Sequence, residues 1–265
     1  MRGTHKPEQG NSDNLFQRLS EYISQFDKTW IKRIKPISAE SVELLKKWLC
    51  IDERDRQLPV FYQIFLEKMG ADDGGFFSET LLGDAGFISR RIKSFEDWYA
   101  ENEGWYADEN NKAGEWQPPH FMFFDIDMGG GYAFDLSGKN FGKVMDINDD
   151  DELTGVFSEN FEKLLFQCAA GYYEKYKHYL TYSIKQPCDF NVIKNMMDKY
   201  GLKKAWFSDN RHLIGYGNNV YFDCELDLYR GGCGILTGDD AKLINEIAGF
   251  LECEVDARIT ANQKL

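Results

Sequence analysis

The chain has 265 residues, 43% of them hydrophobic and 15% aromatic, which supplies a core for one large domain or two modest ones and excludes wholesale disorder. Forty-four acidic against 31 basic residues give a formal net charge of −13, which repels nucleic-acid phosphates and anionic membrane surfaces, so neither is expected as a direct partner. Six cysteines without a CxxC pair read as reduced thiols, and no signal-like or membrane-length apolar run occurs, so a cytoplasmic location is expected.

Residues 1–13 are polar, punctuated by Gly and Pro, and read as a flexible end. Leu15, Leu19, Tyr22, Ile23 and Phe26 then recur at helical spacing, and Val42, Leu45, Trp48 and Leu49 do so again behind Ser38, a suitable N-cap. A third helix is predicted from Pro59, whose fixed φ suits a first helical position, with Phe61, Ile64, Phe65 and Met69 on one face and Gly70 at its end. Residues 72–75 read as a turn, short apolar stretches follow at 76–82, a helix is expected from Ser94, and residues 101–114 read as a polar loop.

Residues 121–128 and 132–136 both suit extended structure, and Gly129, Gly130 and Gly131 between them supply the freedom a reversal needs, so a hairpin is expected. Residues 143–147 read as a further strand, then an acidic loop, then a long helix from about Ser158 with Phe161, Leu164, Leu165, Cys168 and Tyr172 on its buried stripe. Tyr172, Tyr176 and Tyr179 continue that stripe at i, i+4, i+7, either packing inward or offering an aromatic contact surface. This unit is expected to close near residue 182.

Beyond it, Phe190, Ile193, Met197 and Tyr200 mark a helix ended by Gly201, and strands are expected near 204–208, 212–216 and 220–229. Another helix carries Leu243, Ile244, Ile247 and Leu251. Cys253, Val255, Ala257 and Ile259 then alternate with charged residues, the period of a half-buried strand. The whole predicts an α+β chain: a flexible 1–13, a domain over 14–182 with a mixed or antiparallel sheet flanked by helices, and an appended α+β unit over 183–265 joined near 186–189.

Asp125 and Asp127, after an apolar strand, resemble the DxD element with which glycosyltransferases hold a divalent cation against a sugar-nucleotide diphosphate. No Gly-rich phosphate loop precedes them, and two aspartates flanking an inward Ile126 are also what a half-buried strand presents. A dehalogenase-type phosphatase fits less, because Gly129 stands where that motif wants Thr or Val. Asp146, Asn148 and Asp150 imitate the first ligands of a calcium loop, but Asp151 replaces its glycine and Phe157 its closing glutamate. The glycines at 215, 217, 231, 232 and 234 match no nucleotide-binding pattern and read as turns. The four histidines are scattered, and GxSxG and HExxH are absent. No catalytic residue, metal or cofactor is therefore expected. Asp149, Asp150, Asp151 and Glu152, with Asp125 and Asp127, read as a solvated anionic surface for a protein partner.

The order of several short signals resembles the SUKH superfamily, the Smi/Knr type. Leu58-Pro59 with Tyr62, Phe65-Leu66 and Gly70 is similar to its LPxxYxxFLxxxNG opening, although Met69 stands where the family has Asn. Trp116 ahead of residues 121–124, then Gly130-Gly131-Tyr132 and Phe134-Asp135-Leu136, resemble its glycine-centred hairpin with an "FD" strand. Val144 follows as the next strand, and Ser158 with Phe161 and Leu164-Leu165 is similar to its closing SFxxFL helix. The resemblance covers about residues 36–182. It implies an α+β fold without catalysis, most often a bacterial immunity protein that neutralises a polymorphic or contact-dependent toxin, or, as in fungal members, a regulatory scaffold. A DxD-dependent glycosyl- or nucleotidyl-transferase is the competing expectation.

Overall fold

A computed structural model of the chain describes residues 14–49, 57–75, 121–127, 130–147, 153–173, 178–185, 188–227 and 231–264. The stretches expected at 1–13, 76–82, 94–99 and 101–114, together with Trp116, Tyr176 and the acidic run 149–152, lie outside them. The described residues are α+β, with six α-helices and three antiparallel sheets, and divide into two units between Leu165 and Phe166.

In the first unit α1 (Leu15–Ile23) buries Leu15, Leu19 and Ile23, one residue per turn. β1 (Ile34–Lys35) pairs antiparallel with β2 (Asp72–Asp73), so part of the expected turn at 72–75 is a short strand. The indole of Trp30, fully buried, donates to the carbonyl of Asp73 at 2.7 Å. Gly74 then turns the chain at φ +75, where a Cβ would stand 2.8 Å from Trp30 Cδ1. Ser38 caps α2 (Ala39–Leu49), its Oγ accepting from the backbone N–H of Ser41 at 3.0 Å. α3 (Val60–Met69) starts one residue later than expected. Pro59 keeps an extended ψ of 132 and serves as N-cap, and Tyr62, Phe65, Leu66 and Met69 are buried.

β3 (Phe121–Asp127), β4 (Gly130–Asp135), β5 (Lys143–Ile147) and β6 (Leu153–Ser158) form an antiparallel meander in that order. The expected hairpin is present, but Gly130 and Gly131 belong to β4, paired with Asp127 and Ile126. β6 was not anticipated. Its sequence LTGVFS holds a glycine and exposes Thr154 and Val156, as suits a strand that among the described residues is paired on one side only. α4 (Phe161–Tyr173) therefore begins beyond Ser158, with the Asn160 side chain accepting from Lys163 N–H at 2.9 Å. Asp135 of the FD pair accepts from Ser137 N–H at 2.8 Å and so holds the turn after β4. α4 crosses the division between the units, contributing its first five residues, through Leu165, to this one.

The second unit holds β7 (His178–Ile184), α5 (Phe190–Lys199), β8 (Lys203–Lys204), β9 (His212–Gly217), β10 (Val220–Asp227), β11 (Gly231–Gly238), α6 (Ala241–Val255) and β12 (Ala257–Lys264). The sheet order is β12-β7-β11-β10-β9-β8, with every neighbour antiparallel. β7 spans the expected close of the first domain at residue 182, yet it pairs within this sheet. β7 lies between β11 and β12, with Leu180, Tyr182 and Ile184 buried in strict alternation, so Tyr179 is in a strand and not on a helix. Gly215, Gly217, Gly231, Gly232 and Gly234 lie in strands, not in turns. At Gly234 a Cβ would stand 1.9 Å from the Asp223 carbonyl and 2.4 Å from the Tyr182 hydroxyl, so the close approach across β10, β11 and β7 requires glycine there. The turn between β9 and β10 is made by Asn218 and Asn219, both at positive φ, as a tight hairpin demands.

Two further boundaries differ from the pattern. The strand expected at 204–208 is only two residues long. Cys253 and Val255 end α6, because Val255 completes the buried stripe of Ile244, Ile247, Ala248 and Leu251; Asp256, in the left-handed region, stops the helix before β12. α5 and α6 cover one sheet face, packing Ile193, Met196, Met197, Ile244, Ile247 and Leu251 on Leu180, Tyr182, Phe222 and Leu236. Both are capped by aspartate side chains, Asp189 on Asn191 N–H and Asp240 on Lys242 N–H. No helix among the described residues is long and apolar enough to cross a membrane.

Candidate functional site

Antiparallel pairing assembles an acidic end on the four-stranded sheet. Asp127 pairs with Gly130, Gly131 with Ile147, and Ile147 with Leu153, so β3 and β5 finish where β4 and β6 begin. Asp125, Tyr132, Asp146 and Gly155 form one row across all four strands near that end. Asp149, Asp150, Asp151 and Glu152 lie outside the described residues; they fall in sequence between the paired ends Ile147 and Leu153. No Lys or Arg occurs in residues 121–138 or 144–158; Lys139 and Lys143 fall at the opposite end, where β4 passes to β5. Asp125 and Asp146, 21 residues apart in sequence and treated separately by the residue pattern, are thus brought into one row of the sheet. The partition of charge follows the same line. Residues 1–165 carry 31 acidic and 19 basic residues, and residues 166–265 carry 13 and 12.

The second unit holds a cluster that the motif search missed. On the sheet face away from α5 and α6, His212 of β9 pairs with Glu225 of β10. Its Nε2 lies 3.5 Å from Glu225 Oε2, and its Nδ1 lies 3.7 Å from Asp209 Oδ1. Asp209 is itself held firmly. Its Oδ1 accepts from the backbone N–H groups of Arg211 and His212, both at 2.9 Å, and its Oδ2 accepts from Gln167 Nε2 at 3.0 Å. Arg211 places Nε and Nη2 on Glu225 Oε1 at 3.0 and 2.9 Å. The signal was the period of two in Asp223-Cys224-Glu225, which sets both carboxylates on one face, opposite the His of Asn210-Arg211-His212.

Burial alone would lower the His212 pKa, but the carboxylates of Asp209 and Glu225 beside its ring nitrogens outweigh it and raise the imidazole to about 9. Burial conversely opposes ionisation of Asp209, yet His212, the backbone N–H and Gln167 hold its carboxyl well below the usual range. A histidine cationic at neutral pH, with a carboxylate beside each ring nitrogen, offers no free lone pair for proton abstraction. The thiols of Cys168 and Cys224 are pushed up by burial, away from the thiolate a nucleophile needs. The cluster therefore ties the 205–212 segment to β10 and holds charge in place.

Among the described residues no group of three or more His, Cys, Asp or Glu side chains is arranged to hold a metal ion. Comparison of the chain with protein-family models, with curated proteins and with solved structures finds no match.

Proposed function

We propose that the chain is a non-catalytic binding protein of the SUKH type, an immunity protein that acts in the cytoplasm and neutralises a toxin delivered by neighbouring bacteria. Asp125, Asp127 and the acidic run from Asp149 to Glu152 are the residues that meet that partner. One observation carries this proposal: the short motifs behind the family resemblance converge on a single core. Tyr62 and Phe65 come from the LPxxYxxFL-like stretch, Phe134 from the FD strand and Phe161 from the closing helix. Their rings meet at centroid distances of 4.8 Å (Tyr62 to Phe134), 5.1 Å (Tyr62 to Phe161), 5.4 Å (Phe65 to Phe161) and 5.6 Å (Phe134 to Phe161). Residues scattered over a hundred positions thus serve one packing purpose, as a shared fold requires.

The charge partition supports the chemistry of the partner. A toxin domain that must approach phosphate is basic, and the excess of 31 acidic over 19 basic residues in 1–165 would steer it to the first unit. The test is association of the full-length protein with the toxin domain encoded beside its gene, measured from low to high salt. Binding that neutralises the toxin, with an association rate that falls steeply as salt rises, is expected. Replacing Asp149, Asp150 and Asp151 by Asn and Glu152 by Gln should slow association about tenfold or more at low salt. Absence of binding would remove the immunity role, and a rate indifferent to salt would remove its electrostatic part. Tight Mn²⁺ binding abolished by Asp127→Ala would instead favour a transferase.

A further inference from the structure

Strand β10 sets Tyr221, Asp223 and Glu225 on the sheet face away from α5 and α6, and the register decides what each one meets. Glu225 lies between His212 on β9 and Cys233 on β11. Asp223 lies between Ile214 and Ile235. The two cations of the cluster are directed elsewhere: Arg211 is on Glu225, and His212 stands between Glu225 and Asp209. Among the described residues Asp223 keeps one hydrogen bond, from the Tyr221 hydroxyl to Oδ2 at 3.2 Å, while Oδ1 is buried without a hydrogen-bond partner among them.

A carboxylate so placed is more stable with a proton on it. Burial is the chief reason. The charges of Glu225 and Asp209 add to it, and the cationic His212 and the Tyr221 hydroxyl offset only part, so that the carboxyl is pushed up to about 6. Among the described residues, the other titratable groups that interact with Asp223 are Cys168 of α4, Tyr179 and Tyr182 of β7, Cys224 of β10 and Cys233 of β11. Each has its own ionisation raised by burial, and none supplies a cation.

We propose that the second unit is proton-responsive: Asp223 takes up a proton in mildly acidic solution, and the unit then holds its sheet more tightly than at neutral pH. The sign follows from linkage. A carboxyl whose folded pKa lies above its unfolded value of 3.8 contributes stability below that value and loses it as pH rises through about 6. This inference stands apart from the binding role proposed above.

Amide hydrogen exchange of the full-length protein, corrected for the intrinsic pH dependence and read on peptides covering β9 and β10, tests it at pH 7.5 and 5.5. Between those values the Asp223 proton adds about fourfold to protection. His212 acts in the same direction, so Asp223→Asn is the comparator. The wild-type protein should gain about fourfold more protection than the variant, and equal gains would overturn the proposal. If the variant does not fold, the carboxyl ¹³C shift of Asp223 in the wild-type protein decides: a midpoint near 6 is expected, and one near 4 overturns it.

Discussion

His212→Gln removes the cation that joins Asp209 to Glu225 and gives the second unit a pH signature above neutrality. The imidazole is raised from 6.5 to about 9 in the folded chain, a difference worth at most about 3 kcal/mol. Because the folded value lies above the unfolded one, this stability is fully present below pH 6.5 and is lost as pH rises through about 9. Roughly 2 kcal/mol should be gone by pH 8.5. Urea denaturation followed by circular dichroism at pH 6.5, 7.5 and 8.5 measures it. The wild-type midpoint should fall steadily across the series, and that of His212→Gln should start lower and fall less, since Asp223 still titrates there. The buried thiols of Cys168 and Cys224 add a slope of the same sign, but only as pH reaches their ordinary value of 9.0, above this window. A wild-type midpoint that does not move, or a variant whose midpoint falls in parallel, would refute the ionic bridge.

Phe134→Ala should destabilise the first unit by about 3–5 kcal/mol, since the fully buried ring touches Tyr62 and Phe161 at once; a change in urea midpoint equivalent to less than about 1 kcal/mol would mean that the aromatic cluster is not the core. Gly234→Ala should cost the second unit about 1–3 kcal/mol or more in thermal unfolding. Adding Tyr182→Phe should not rescue it, because the added Cβ still meets the Asp223 carbonyl at 1.9 Å.

Legibility tracked how local the cause was. The helices with strong apolar periodicity, their caps at Ser38 and Asp135's neighbouring FD strand could be anticipated because each depends on residues a few positions apart. The failures share a different cause. β6, β7 and β11 hold glycines or follow an aromatic stripe that also suits a helix, and their extended state is fixed by strand pairing: β6 by its neighbour β5, β11 by its neighbour β10 and by β7 about fifty residues away, and β7 by β12 about eighty residues away. β7 precedes the expected junction yet pairs within the sheet of the second unit, and the division at residue 165 falls inside α4.

The carboxylates at 125, 127 and 149–152 were visible as composition, but the histidine cluster was not, because Asp209, His212, Glu225 and Gln167 have no fixed spacing. By itself the sequence determined the α+β class, the net negative charge and the motifs behind the family resemblance, all of which are properties of composition or of short-range period. Only the tertiary structure decided that four of those motif aromatics share one core, that His212 stands between two carboxylates, and that Asp223 is buried with its Oδ1 lacking a hydrogen-bond partner among the described residues. Those outcomes depend on strand register, and register is a long-range choice made by the packing of whole faces.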